Sequence, residues 1–92
     1  MTTISAKLKI YIAHAVSLKD KRQVSRSLTA KVKQKFNASI AEVDTQDFCQ
    51  TLTLGVAVVS GGGKHAQQIM DEIVRFVESN TEGELLSVEY LP

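Results

Sequence analysis

Twice along this chain a stretch of hydrophobic period two gives way to one of period about 3.6, and that alternation limits the fold more than any other feature. Residues 4–13 alternate: Ile4, Ala6, Leu8, Ile10 and Ile12 point one way and Ser5, Lys7, Lys9 and Tyr11 the other, as in a half-buried strand. Leu18, Val24, Leu28, Val32 and Phe36 then share one stripe at about 100° per residue, which predicts a helix to about Phe36 with Asn37 closing it. Ser17, with Asp20 three residues on, is a variant capping box that starts this helix. A strand at 38–44 follows, with Ala38/Ile40 and Ala41/Val43 competing for its inward face, and Asp44–Asp47 is polar enough for a turn. The β-rich run Cys49–Val59 puts Leu52, Leu54, Val56 and Val58 on one side. Gly61-Gly62-Gly63 break it, and Ala66, Ile69, Met70, Ile73, Val74, Phe76 and Val77 lie in one arc of a helix from about Lys64 to Ser79. Asn80-Thr81-Glu82-Gly83 is a stop, and Leu86, Val88 and Tyr90 alternate as a last strand.

The element order is therefore βαββαβ, in a chain whose 92 residues leave room for one core and a single domain, 1–92. Two helices with one apolar stripe each can cover the same face of a four-stranded antiparallel sheet. Right-handed crossovers then favour the ferredoxin-like α+β arrangement with strand order 4-1-3-2. The other face of the sheet has no helix left to cover it. At 43% hydrophobic and 23% charged residues the composition is that of an ordinary globular domain. The longest uncharged run, between Phe48 and Lys64, contains Gln50, hydroxyl residues and four glycines, so no membrane span is expected. Lys7 and Lys9 interrupt any secretory signal, and a lone cysteine forms neither an internal disulfide nor a CxxC centre. A reducing cytoplasm is the expected location.

The net charge of +1 hides a split: residues 1–36 carry nine basic side chains against Asp20, and residues 37–92 carry Lys64 and Arg75 against nine acids. On helix one, Lys19, Arg22, Arg26 and Lys33 fall within about a 60° arc, with Lys21, Lys31 and Lys35 adding to the field. Their spacing suits contacts along a phosphate backbone, and Asp20 is the only acid near enough in sequence to pair with them. The residues expected to bind RNA or a partner are therefore Lys19, Lys21, Arg22, Arg26 and Lys33. Three readings fit this stripe: a polyanion site, a solvated helix face, and a surface for an acidic protein.

Little else in the chain suggests chemistry. Gly61-Gly62-Gly63-Lys64 lies between strand and helix but is followed by His65, without the hydroxyl that a Walker loop needs for magnesium, and reads as a connector. His14 and His65 have no ligand-spaced partners, and Cys49 has no basic neighbour in sequence. Glu42, Asp44 and Asp47 read as residues facing water. Acylphosphatase-type domains share the element order but need glycine and arginine in the first loop, where this chain has His14-Ala15-Val16-Ser17; copper-chaperone domains need CxxC there. No catalytic residue, metal, cofactor or small-molecule substrate is expected. Base stacking on the sheet, as in RNA-recognition motifs, would use Ser5, Lys7, Lys9, Tyr11, Thr51, Thr53, Gly55 and Ala57, which include one aromatic ring. Nucleic acid would then be held by phosphate contacts on helix one, with poor sequence specificity. The same face, through Tyr11, Thr51, Thr53, Gly55 and Ala57, is the expected surface of a homodimer, with Lys7 and Lys9 meeting Glu42 or Glu89 of a second copy.

Several segments resemble the small bacterial family of YlxP-type proteins of unknown function. The likeness runs through Ala15-Val16-Ser17-Leu18-Lys19-Asp20-Lys21-Arg22, Phe36-Asn37-Ala38-Ser39-Ile40-Ala41-Glu42-Val43-Asp44, Gln46-Asp47-Phe48-Cys49-Gln50 and Leu54-Gly55-Val56-Ala57-Val58-Val59-Ser60. It implies a ferredoxin-like fold, no assigned chemistry, and a gene neighbourhood of translation and ribosome-maturation factors. The chain departs from that pattern at Cys49, where the family usually has tryptophan, and at the three glycines, where it has an Asn-Asp type of turn. An accessory, non-catalytic role near RNA or ribosomal particles is the expectation, with a protein–protein adaptor as the alternative.

Overall fold

In a computed structural model that describes residues 1–92, the chain runs β1 (Thr2–Tyr11), α1 (Leu18–Lys35), β2 (Ser39–Glu42), β3 (Thr51–Ser60), α2 (Gly63–Asn80) and β4 (Glu84–Leu91). The strands form one antiparallel sheet in the order β2-β3-β1-β4, the expected 4-1-3-2 arrangement read from the other edge. Ala6, Leu8, Ile10 and Ile12 of the first strand region and Leu52, Leu54, Val56 and Val58 of β3 are buried beneath the helices. Leu28 and Val32 of α1 and Met70, Ile73 and Val77 of α2 close the core over them. Each of these Leu, Ile, Val and Met side chains contributes roughly 1.5–3 kcal/mol on burial.

The capping box works with a shift. Ser17 Oγ accepts from the Asp20 amide at 3.2 Å, and the Asp20 carboxylate reaches back to the Val16 amide at 3.0 Å. At its other end α1 stops one residue sooner than expected, at Lys35, because Phe36 turns to extended backbone and packs edge-on against Phe76 of α2 at 5.6 Å. The ambiguous face of β2 resolves in favour of Ile40, which is buried opposite Val56, while Ala41 faces outward opposite Gly55.

Strand β4 differs from its simple alternation. A bulge between Lys9 and Ile10 of the β1–β4 register sets Ile10 opposite Leu85 and Lys9 opposite Ser87. Leu85 and Val88 both pack on the core, and Leu86, the extra residue, is left 52% exposed. Gly83, just before β4, has no room for a side chain: a Cβ there would lie 2.5 Å from the Tyr11 carbonyl oxygen and 2.8 Å from Ile10 Cγ2. Gly61 and Gly62 stand in open space, and no glycine in the chain has positive φ.

Candidate functional site

The basic residues of α1 divide into two populations. Lys19, Arg22, Arg26 and Lys33 are exposed along one flank of the helix and form no ion pair; the lysine–carboxylate pairs of the molecule are Lys7–Asp44 and Lys21–Glu42, and His14 Nε2 lies 3.3 Å from Glu82 Oε2. Lys31 is exposed on the other flank, beside a polar cleft of about 330 Å³ that His14, Asp20, Gln23 and Glu82 help to line. The Lys35 ammonium lies over the Phe76 ring, 4.8 Å from its centre, and so is held against α2.

Lys21 is a correction to the expected surface set. It is 1% exposed, and its Nζ donates to the carbonyls of Thr45 at 2.6 Å, Gln46 at 3.1 Å and Thr51 at 3.3 Å, with Glu42 Oε2 at 2.8 Å. An ammonium has three protons, and three carbonyls take them, so Oε2 neutralises the charge without a well-directed hydrogen bond of its own. The wheel carries the reason for this burial. Lys21 falls about 60° before Leu18, inside the apolar stripe and away from Lys19 and Arg22. It joins the start of α1 to both ends of the loop 45–50, and it touches no solvent that RNA could replace.

The outer face of the sheet is also less open than expected. Asp44 adopts φ of 60°, a left-handed conformation that Asp tolerates, and turns residues 43–45 back over the strands. Val43 covers Gly55, where a Cβ would come within 3.2 Å of Val43 Cγ1; Thr45 Oγ1 hydrogen-bonds Thr53 Oγ1 at 2.9 Å; Asp44 pairs with Lys7 at 2.8 Å. Thr53 is therefore 3% exposed and offers nothing to a second copy, whereas Tyr11 remains exposed and Thr51 half-buried. Lys7 finds Asp44 in its own chain, and Glu42 is committed to Lys21, so neither serves the contact between copies that the sequence suggests. The Asp44 hydrogen bond and charge raise the Lys7 pKa above its ordinary 10.5. What stays apolar and open is the far end of this face, a shallow groove among Ser5, Ser39, Ala41, Val43, Ala57 and Leu91.

Other candidates stay apart. Ser60 Oγ, on a half-buried residue, lies 2.8 Å from Nδ1 of the exposed His65 at the start of α2, and Cys49 is half-buried with no thiol partner. No group of three His, Cys, Asp or Glu side chains converges as a metal site would require, and no helix is long and apolar enough to cross a membrane.

Residues 3–90 match the family model described as Protein of unknown function (DUF503). The chain belongs to that family. It is 34% identical over 74 residues, 80% of each chain, to the Uncharacterized protein YlxP of Bacillus subtilis (strain 168), in keeping with the resemblance carried by the residues. Among solved structures it is similar to a de novo designed protein with ferredoxin fold, at a TM-score of 0.55, 19% identity, and coverage of 99% of this chain and 84% of that one. At that identity the likeness is one of fold, which is ferredoxin-like here as expected.

Proposed function

We propose that this member of the family is a non-catalytic accessory protein that binds RNA, as a free strand or within ribosomal particles, through the outer flank of α1. One observation carries the reading: Lys19, Arg22, Arg26 and Lys33 stay exposed and unpaired although nine acids follow in the chain. Like charges along a helix repel by a few tenths of a kcal/mol per pair, a cost that a polyanion removes. The gene neighbourhood implied by the family resemblance is compatible with this role, as is a cytoplasm in which Cys49 remains a thiol. With about four phosphate contacts, log affinity for RNA falls with log salt at a slope of about −3 to −4. Fluorescence anisotropy across a salt series measures it. An adaptor that recognises an acidic protein through the same flank gives no binding to bare RNA, and that result overturns the proposal.

A second reading concerns the other side of the molecule. The small-residue groove around Ala41, Ala57 and Leu91, with exposed Val59 beside it, supports an isologous contact between two copies. Light scattering that finds a strict monomer at high micromolar concentration ends this reading. Ala57→Glu, in place of the buried Thr53, is the substitution that dissociates such a dimer.

A further inference from the structure

The sheet ends in two edges of opposite charge. α1 packs on β2 and β3 and α2 on β1 and β3, so α1 rides over the β2 side. Asp20, Val24 and Lys31 border a cleft shared with Asn80 of α2, and Lys35 lies on Phe76, so that flank of α1 faces α2. Lys19, Arg22, Arg26 and Lys33 stand about 40–100° round the wheel from Leu18, across the buried stripe from that flank. They therefore overhang the free edge of β2. Glu42 is held by Lys21 and Asp44 by Lys7, so neither acid offsets them. At the opposite edge, Gln67 Nε2 bonds Asp71 Oδ1 at 2.8 Å and Tyr90 Oη at 3.1 Å, which sets the Asp71 flank of α2 beside β4. Glu78 follows on that flank about two turns later, and β4 itself carries Glu84 and Glu89. These four acids outnumber Arg75 and Lys64 on this side. Both edges have backbone to offer. Val43 N donates to Thr53 O, so the alternation of the ladder turns the N–H and C=O groups of Ile40 and Glu42 away from β3. β4 pairs only with β1, and its Leu86, Tyr90 and Leu91 are exposed. Such an edge is a template for another strand.

We infer that copies of this chain associate head to tail, with β4 of one copy added to the β2 edge of the next. Charge selects this arrangement. A two-fold contact between like edges sets the basic flank of α1 against itself, or the acidic β4 side against itself. Unlike edges bring Arg22 and Arg26 to Asp71 and Glu78. Strand direction permits it: β1 and β2 run one way and β3 and β4 the other, so a copy in the same orientation presents β4 antiparallel to β2, with all helices on one face. Spacing permits it too. Four strands at about 4.8 Å span about 19 Å, the width of two helices packed about 8–10 Å apart, so the helix layer continues across the joint. There the flank of α1 roofs the shallow groove of Val74, Val88 and Tyr90, where α2 leaves β4 half covered. A heterologous contact leaves an unfilled edge at each end, so the assembly grows by addition. This inference stands apart from the RNA reading, although a polyanion on α1 competes with it.

Sedimentation velocity of the wild type, freed of nucleic acid, tests this without regard to RNA binding. It is run at about 0.01 M salt and again at about 1 M, where the Debye length falls from about 30 Å to about 3 Å. In the dilute salt the weight-average mass should rise with concentration past that of two copies, and in the concentrated salt it should return to that of one. Two double variants separate the edges: Arg22→Glu, Arg26→Glu on one side and Asp71→Lys, Glu78→Lys on the other. None of these residues is in the core, and thermal melts matching the wild type show that each variant is folded. Each alone should stay a single copy, and an equal mixture should associate, because each then presents the charge that the other lacks. A strict monomer in dilute salt at high micromolar concentration overturns the inference, as does growth that 1 M salt leaves unchanged. So does a plateau at two copies, and if Ala57→Glu removes that plateau the contact belongs to the open sheet face instead.

Discussion

Lys21 carries a charge into the interior and is tolerated because four oxygen atoms surround it. Removing one member of a buried pair leaves the other charge uncompensated, so Lys21→Ala is expected to lower the unfolding free energy by about 3–5 kcal/mol. Urea denaturation measures this. The double variant Lys21→Met, Glu42→Gln removes the stranded charge but leaves the Thr45, Gln46 and Thr51 carbonyls without their donor, so it should recover part of the loss and not all of it. A double variant as stable as the wild type would show that those carbonyls find other partners at no cost. The Lys7–Asp44 pair differs because both side chains are partly in solvent. The folded Lys7 pKa is raised above 10.5, by the Asp44 hydrogen bond and then by its charge. The pair's small contribution is therefore complete below that value and is lost as pH rises through the folded pKa. The difference in melting temperature between the wild type and Lys7→Met should shrink only at strongly alkaline pH; a difference already gone at neutral pH contradicts the sign.

At the scale of the elements, glycines that look alike in the sequence do different work. Gly61 and Gly62 are free of steric need and have negative φ, so Gly61→Ala should raise stability by about 0.4–1 kcal/mol through the unfolded chain. Gly83→Ala must push a methyl group into the Tyr11 carbonyl and Ile10, and should cost about 1–3 kcal/mol. Paired thermal melts of the two variants test both, and equal shifts would remove the distinction. Their periodicities made both helices and the inward faces of β1 and β3 legible. The failure at β4 came from the bulge, which shifts the parity of inward residues so that Leu85 replaces Leu86 on the core. Alternation alone cannot show a bulge, because the extra residue is defined by the partner strand.

For the molecule as a whole, Arg22, Arg26 and Lys33 lie off the buried stripe, so their reversal to glutamate should leave the melting curve in place while abolishing RNA binding. Gradient sedimentation of cell extract, wild type beside this triple variant, should place only the wild type in ribosomal fractions at low salt. A wild type that stays at the top of the gradient removes the ribosomal form of the proposal. Hydrophobic period, capping residues and the order of elements are enough to specify the architecture, because each depends on neighbours within a few positions along the chain. The basic flank was legible for the same reason. The interior role of Lys21 was half legible: its place on the helical wheel is inside the apolar stripe, but a lysine there is buried only if oxygen atoms from elsewhere meet it. Those come from Glu42, Thr45, Gln46 and Thr51, between 21 and 30 residues away in the chain. Likewise Thr53 became covered, and Phe48 was left exposed on a fastened loop, through contacts that only the folded chain brings together. Local sequence determined which elements form and which faces they bury; the long-range oxygen contacts to one lysine and the left-handed turn at Asp44 decided which surfaces remain for a partner.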